Sequence, residues 1–123
     1  MRITKNMIEE RFKKFNELYF DGKLETPEFR LLWNKDGLFG KFKVYKRPII
    51  CVNASADWSD YDFDDIVVHE MIHYYIYSVL KRDPFFSHGL LFRKVRRDIA
   101  KKGIKVHIKY KHIKYINKKG EPK

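Results

Sequence analysis

Apolar positions recur along the chain with two different periods, and the changes of period mark its elements. Over residues 4–21, Ile8, Phe12, Phe15 and Tyr19 are spaced by four, three and four, which puts them on one stripe of an amphipathic helix. Asn6 with Glu9 three residues on reads as a capping pair, and Gly22 as the stop. Residues 29–33 and 38–45 then read as two strands joined in a hairpin at Asn34-Lys35-Asp36-Gly37, whose Asp-Gly pair is a strong turn signal. In the second of them Phe42 and Val44 alternate with Lys41 and Lys43, so one face is wet. Residues 49–52 form a third, more buried strand, with Pro48 at its beginning, where a missing N–H is tolerated.

A polar, aspartate-rich loop over residues 53–62 leads into a long helix that runs to about Leu80. Asp64 and Asp65 are expected in its first turn, where carboxylates suit the helix dipole. Asp60, Asp62 and Asp64 alternate as in a calcium loop. That loop needs Gly at its sixth position and Glu at its twelfth, and Asp65 and Met71 stand there, so calcium is excluded. Asp83-Pro84 breaks the chain. Ser87 reads as the N-cap of a third helix with Leu91, Val95 and Ile99 as its apolar face and Gly103 as its end. Over residues 104–110, Ile104, Val106, Ile108 and Tyr110 alternate strictly with Lys105, His107 and Lys109, which predicts a half-buried strand. From Asn117 onward Lys, Gly and Pro read as a loose end.

With 44% hydrophobic and 16% aromatic residues in 123, the chain can bury a core, which excludes disordered and low-complexity classes. One domain, residues 1–123, is expected, with a core over about residues 5–110 and a basic tail over residues 111–123. The net charge of +11 is unevenly placed. Up to His88, 14 basic side chains balance 14 acidic ones; beyond it 13 basic residues face only Asp98 and Glu121. A polyanion or acidic surface is expected to meet that end, unless it is a solvated face that keeps the protein soluble. Cys51, the one cysteine, lies in an apolar run and reads as a small buried hydrophobe; no intramolecular disulfide can form. No apolar stretch approaches the roughly 20 residues of a membrane span, and the first twelve residues lack a secretory segment. A soluble, cytoplasmic monomer with no membrane partner is the expectation.

The long helix carries His69-Glu70-Met71-Ile72-His73. Histidines at i and i+4 share one helix face, so both imidazoles can reach one metal ion, and the glutamate between them can serve as general base to a water on it. In a chain with five His and seven Glu, a chance match is on the order of 1%. The metzincin extension is excluded by Ile76 and Val79, where Gly and His would stand. A thermolysin-like glutamate ligand would have to be Glu121, in the loose end. Of the remaining histidines, His88 is preferred as third ligand, because the loop before it could fold the third helix back over the active one. His107 and His112 lie in a lysine-rich strand region and read as solvent-facing. Tyr74, Tyr75 and Tyr77 read mostly as core, with one available to donate to an oxyanion.

The arrangement His69-Glu70-x-x-His73, followed by His88-Gly89-x-x-Phe92, resembles the SprT-like family of zinc metallopeptidases, to which bacterial SprT and the protease domain of Spartan belong. Upstream, Phe15-Asn16-x-x-Tyr19-Phe20-x-Gly22-x-Leu24 resembles the family's first helix and its exit, and residues 50–54 sit where the strand before the active helix is expected. The resemblance spans residues 12–106. It implies zinc held by His69, His73 and His88, with Glu70 as catalytic base and Gly89 allowing close packing beside the site. Spartan acts on proteins crosslinked to DNA, so DNA-associated proteins are a candidate substrate class. Longer members append a cysteine zinc ribbon or DNA-binding segments. The single cysteine excludes the ribbon, and the basic strand and tail stand in its place. Arg93, Lys94, Arg96, Arg97, Lys101 and Lys102 would then form the positive surface that meets single-stranded DNA. Tyr110 and Tyr115 either stack on unpaired bases or belong to the core.

Together these readings predict an α+β, zincin-like minimal domain: an N-terminal helix, a small, mostly antiparallel sheet, the metal-binding helix, a second helix returning His88 to it, and a C-terminal basic strand. The expected function is a zinc-dependent endopeptidase acting on protein or peptide substrates by metal-activated water, with Glu70 as general base. The alternative is a non-enzymatic nucleic-acid-binding module whose metal is structural or vestigial; Glu70 argues against it, since such a module has no use for a base.

Overall fold

The structure is a computed structural model, and it describes residues 1–83 and 88–116. Helix α1 (Lys5–Tyr19) buries Ile8, Phe12 and Phe15 of the expected stripe and leaves Tyr19 partly buried, while the polar Asn16 is buried beside them. Full burial of a side chain such as Phe12 contributes roughly 1.5–3 kcal/mol. The cap is Thr4, whose hydroxyl accepts from Met7 N–H; Asn6 bonds instead to Glu10, four residues on. Asn16 explains itself at the helix exit: its amide donates to the Leu24 carbonyl at 2.8 Å and accepts from Leu24 N–H at 3.1 Å. The chain turns there through Asp21 and Gly22, both at positive φ.

Strands β1 (Glu28–Leu32), β2 (Gly40–Tyr45) and β3 (Arg47–Asn53) form a mixed sheet in the order β1-β3-β2. β1 runs parallel to β3 and β2 antiparallel to it. The expected hairpin at Asp36-Gly37 is therefore absent. The hairpin joins β2 to β3 through Lys46, at φ 64°. Burial decided the order. In β3, Ile49, Ile50, Cys51 and Val52 are wholly buried and demand the central place, whereas lysine-bearing β2 is suited to an edge. Residues 33–39 consequently arch over the end of β3, held by buried Asn53, whose amide donates to the Asn34 and Leu38 carbonyls at 3.0 and 2.7 Å.

Helix α2 (Asp60–Ser78) starts four residues earlier than expected, capped by the Ser59 hydroxyl, with Asp60 and Asp62 in its first turn. Asp64 and Asp65 lie deeper in the helix, and Asp65 is wholly buried. α2 is the spine of the molecule and packs against α1, both β2 and β3, and α3 (Leu90–Lys102). On α3 the fully buried residues are Phe92 and Ile99, with Leu91 and Val95 only partly covered. Gly89 occupies the N-cap. The cap expected at Ser87, like the loose end from Asn117 and Glu121 within it, lies outside the described residues.

Residues 104–116 correct one expectation. Burial alternates as read, with Ile104, Val106 and Tyr110 inside and the lysines between them outside, yet no strand forms. Side chains take the backbone instead: Tyr61 donates to the Lys105 carbonyl, Arg96 to the Val106 carbonyl, and Asp65 accepts from His107 N–H. A single bridge, Ala56 with Tyr115, ties this segment to the loop before α2. The α+β class holds: three helices and a three-stranded sheet among the described residues, none of the helices long and apolar enough to cross a membrane.

Candidate metal centre

One face of the middle of α2 must be apolar to join the core, yet it carries His69, Glu70 and His73. His69 is 4% exposed, and its Nδ1 lies 2.8 Å from the His107 carbonyl oxygen. A carbonyl can only accept, so Nδ1 carries the proton and Nε2 keeps its lone pair. Burial lowers the pKa of this imidazole to about 3, which keeps it neutral. His88, immediately before the Gly89 cap, brings its Nε2 to 3.0 Å from that of His69. His73 completes the group, its ring centroid 5.2 Å from each of the other two. One nitrogen from each of the three lies within 4.8 Å of the others, so these histidines could hold a metal ion.

Do these residues fit zinc? Zinc–nitrogen bonds of 2.0–2.1 Å in a tetrahedron separate neighbouring nitrogens by roughly 3.3 Å. The His69–His88 spacing of 3.0 Å needs only a small outward adjustment. The donor set, three imidazoles of which His69 has its proton already placed away from the centre, suits a borderline metal. Phe92 supports all three rings from below, its centroid 4.8–4.9 Å from each. The group and Glu70 open into a cleft of about 690 Å³, walled by residues 37–42 on one side and 108–111 on the other.

Glu70 is 4% exposed, and burial pushes its carboxyl up to about 8. A nearby dication would pull it down again. Space for it comes from Gly40: a Cβ there would stand 2.7 Å from Glu70 Oε2 and 2.9 Å from Ile66 Cγ1. Nothing in the spacing of the sequence singles out Gly40, because the contact joins a strand to a helix thirty residues on. Asp65 was equally hidden. It accepts from His107 N–H, from His107 Nδ1 and from the Tyr110 hydroxyl.

Those contacts also place the other candidates. The His107 and His112 rings are about half exposed, as expected, but each is paired with an aspartate, Asp65 and Asp62. Tyr110 is buried; burial first, then Asp65, hold its hydroxyl protonated, and it is no free platform for a base. Tyr115 stacks on Phe39 and accepts from Gly37 N–H. Tyr74 is core and donates to the Glu25 carbonyl, Tyr75 packs on Phe20, and Tyr77 lies against Phe42; Tyr110 is the tyrosine that lines the cleft. The cationic residues divide between two depressions. Arg93, Arg96 and Arg97 join Lys105 around a groove of about 500 Å³, while Lys94 lies beside Arg82, Leu90 and Leu91 in another. Lys101 and Lys102 occupy the last turn of α3, and Lys102 donates to the Tyr19 carbonyl.

The SprT-like family model matches residues 8–112, nearly the whole chain. The chain belongs to the SprT-like family. No curated protein sequence matches it. Membership suggests a metallopeptidase-type domain, and in this SprT-like chain the motif histidines are the three that converge.

Proposed function

We propose that this SprT-like protein is a zinc-dependent endopeptidase, with His69, His73 and His88 as metal ligands and Glu70 as general base. One observation carries the reading: a buried glutamate and three convergent imidazoles line one open cleft. When bound, zinc supplies Lewis acidity that polarises a carbonyl and lowers the pKa of water. Glu70 takes the proton from the attacking water and passes it to the leaving amine. No side-chain nucleophile is needed. β2 borders the cleft and pairs only with β3 among the described residues, so its outer edge can take up an extended peptide by backbone hydrogen bonds. Lys41, Lys109 and Lys111 rim the cleft and favour acidic over basic side chains beside the scissile bond.

The test couples metal content to cleavage. Wild-type protein is expected to hold about one zinc and to cleave unstructured peptides, and His88→Ala to lose metal as severely as His69→Ala. Full zinc occupancy in His88→Ala would overturn the ligand assignment.

A nucleic-acid role is supported by a separate observation, the groove of Arg93, Arg96, Arg97 and Lys105. We infer that this groove receives single-stranded DNA or a similar polyanion, bringing DNA-associated proteins to the cleft by effective concentration. If zinc is bound but no peptide is cleaved, the non-enzymatic binding module becomes the better reading.

A further inference from the structure

We propose that Asp65 is a positioning residue, which acts through Tyr110 and the backbone of His107 to fix the tautomer and orientation of His69. The proposal rests on His69 being a metal ligand, and it extends that reading to a residue outside the motif.

Asp65 lies one helical turn before His69 on α2 and is 0% exposed. A buried carboxylate is costly unless donors surround it. Asp65 has three: His107 N–H at 2.9 Å, His107 Nδ1 at 2.5 Å and the Tyr110 hydroxyl at 2.6 Å. All three come from residues 107–110, a segment with no strand pairing of its own to hold it in place. The carboxylate thus fastens residues 107–110 against α2, between the flanking contacts that Tyr61 makes with Lys105 and Asp62 with His112. Fastened there, the His107 carbonyl meets His69 Nδ1 at 2.8 Å. The Tyr110 hydroxyl also lies 3.1 Å from that carbonyl, but it has one proton, and the shorter approach to the charged oxygen takes it. The His107 carbonyl is therefore left to His69. The chain of contacts runs out from α2 at Asp65, through residues 107–110, and back to α2 at His69. Its product is an imidazole with Nδ1 protonated and Nε2 directed at His88 and His73, the state a metal requires. The His107 ring contributes through its Nδ1 bond to Asp65, which accounts for a half-exposed histidine that stands beside the centre without joining it.

The test is long-range proton–nitrogen NMR of the histidines in the metal-free full chain, paired with zinc affinity by chelator competition. Wild-type protein should show His69 as the Nδ1–H tautomer. In Asp65→Asn the anchor is weakened, so the Nε2–H form of His69 should become populated and zinc affinity should fall by about 10–100-fold. Tyr110→Phe removes one donor only and should move both readouts in the same direction by less. Should Asp65→Asn fail to fold, Tyr110→Phe carries the test. A merely structural role would lower the melting temperature but leave the tautomer as Nδ1–H. That result, in whichever variant folds, would overturn the proposal. If wild-type protein binds no zinc, the metal reading fails, while the tautomer in metal-free protein still decides whether Asp65 positions His69.

Discussion

Glu70 shows how far a single residue's role can be read before its surroundings are known. Its place between two histidines of a helix face made it the candidate base from spacing alone. Its burial, its raised pKa and the space that Gly40 leaves for it depend on the packing of β2 against α2. Glu70→Gln keeps the shape and removes the base. Zinc content should be unchanged while turnover falls by at least roughly 10²-fold, measured on a fluorogenic peptide. Near wild-type cleavage would mean that the activity has another source. Gly40→Ala tests the packing instead. A methyl group 2.7 Å from the carboxylate oxygen must displace it, because Ile66 closes the other side. Turnover is expected to drop by up to about 10²-fold, with zinc still bound. Unchanged turnover would show that the carboxylate can shift without loss.

At the scale of elements, the periodic signals held and the pairing signals did not. The α1 stripe, the apolar run of β3 and the inside-outside alternation after Gly103 are all found in the structure. The Asp36-Gly37 turn lost its hairpin because turn preference is worth little beside the burial that β3 gains at the centre of the sheet. Alternation over residues 104–110 predicted which side chains go inside, but it cannot say what the backbone pairs with. Here Asp65, Tyr61 and Arg96 took the place of a neighbouring strand. Asn53 holds the arch that replaced the hairpin. Its amide donates to the Asn34 and Leu38 carbonyls, its Oδ1 accepts from Ser55 N–H at 2.8 Å, and no part of it is exposed. Asn53→Ala leaves those groups without a partner and should cost about 1–3 kcal/mol in denaturant unfolding. A cost below roughly 0.5 kcal/mol would show that Tyr115, stacked on Phe39 and bonded to Gly37, holds the arch by itself.

For the whole molecule, the charge asymmetry was plain in the sequence, but its division was not, since a helix distributes consecutive cations around its circumference. The structure gathers Arg93, Arg96, Arg97 and Lys105 at one groove. Two of the four are already engaged: Arg93 donates to the carbonyl of the candidate ligand His88, and Arg96 to the carbonyl of Val106, next to His107. Reversing either would disturb the candidate metal site and confuse DNA binding with any effect on the proposed catalysis. The clean variant reverses Arg97, Lys101 and Lys105 to Glu. Wild-type affinity for single-stranded DNA should fall log-linearly with salt, because each neutralised phosphate releases counterions. If all three side chains meet phosphates, the slope of log affinity against log salt should flatten by about 2 in the variant, at roughly 0.7 per contact. Zinc content and cleavage of a short peptide in the absence of DNA should stay at wild-type values, since none of the three lines the cleft. An unchanged slope would place the DNA on another face, and absence of wild-type binding even at low salt would reduce the groove to a solvated surface.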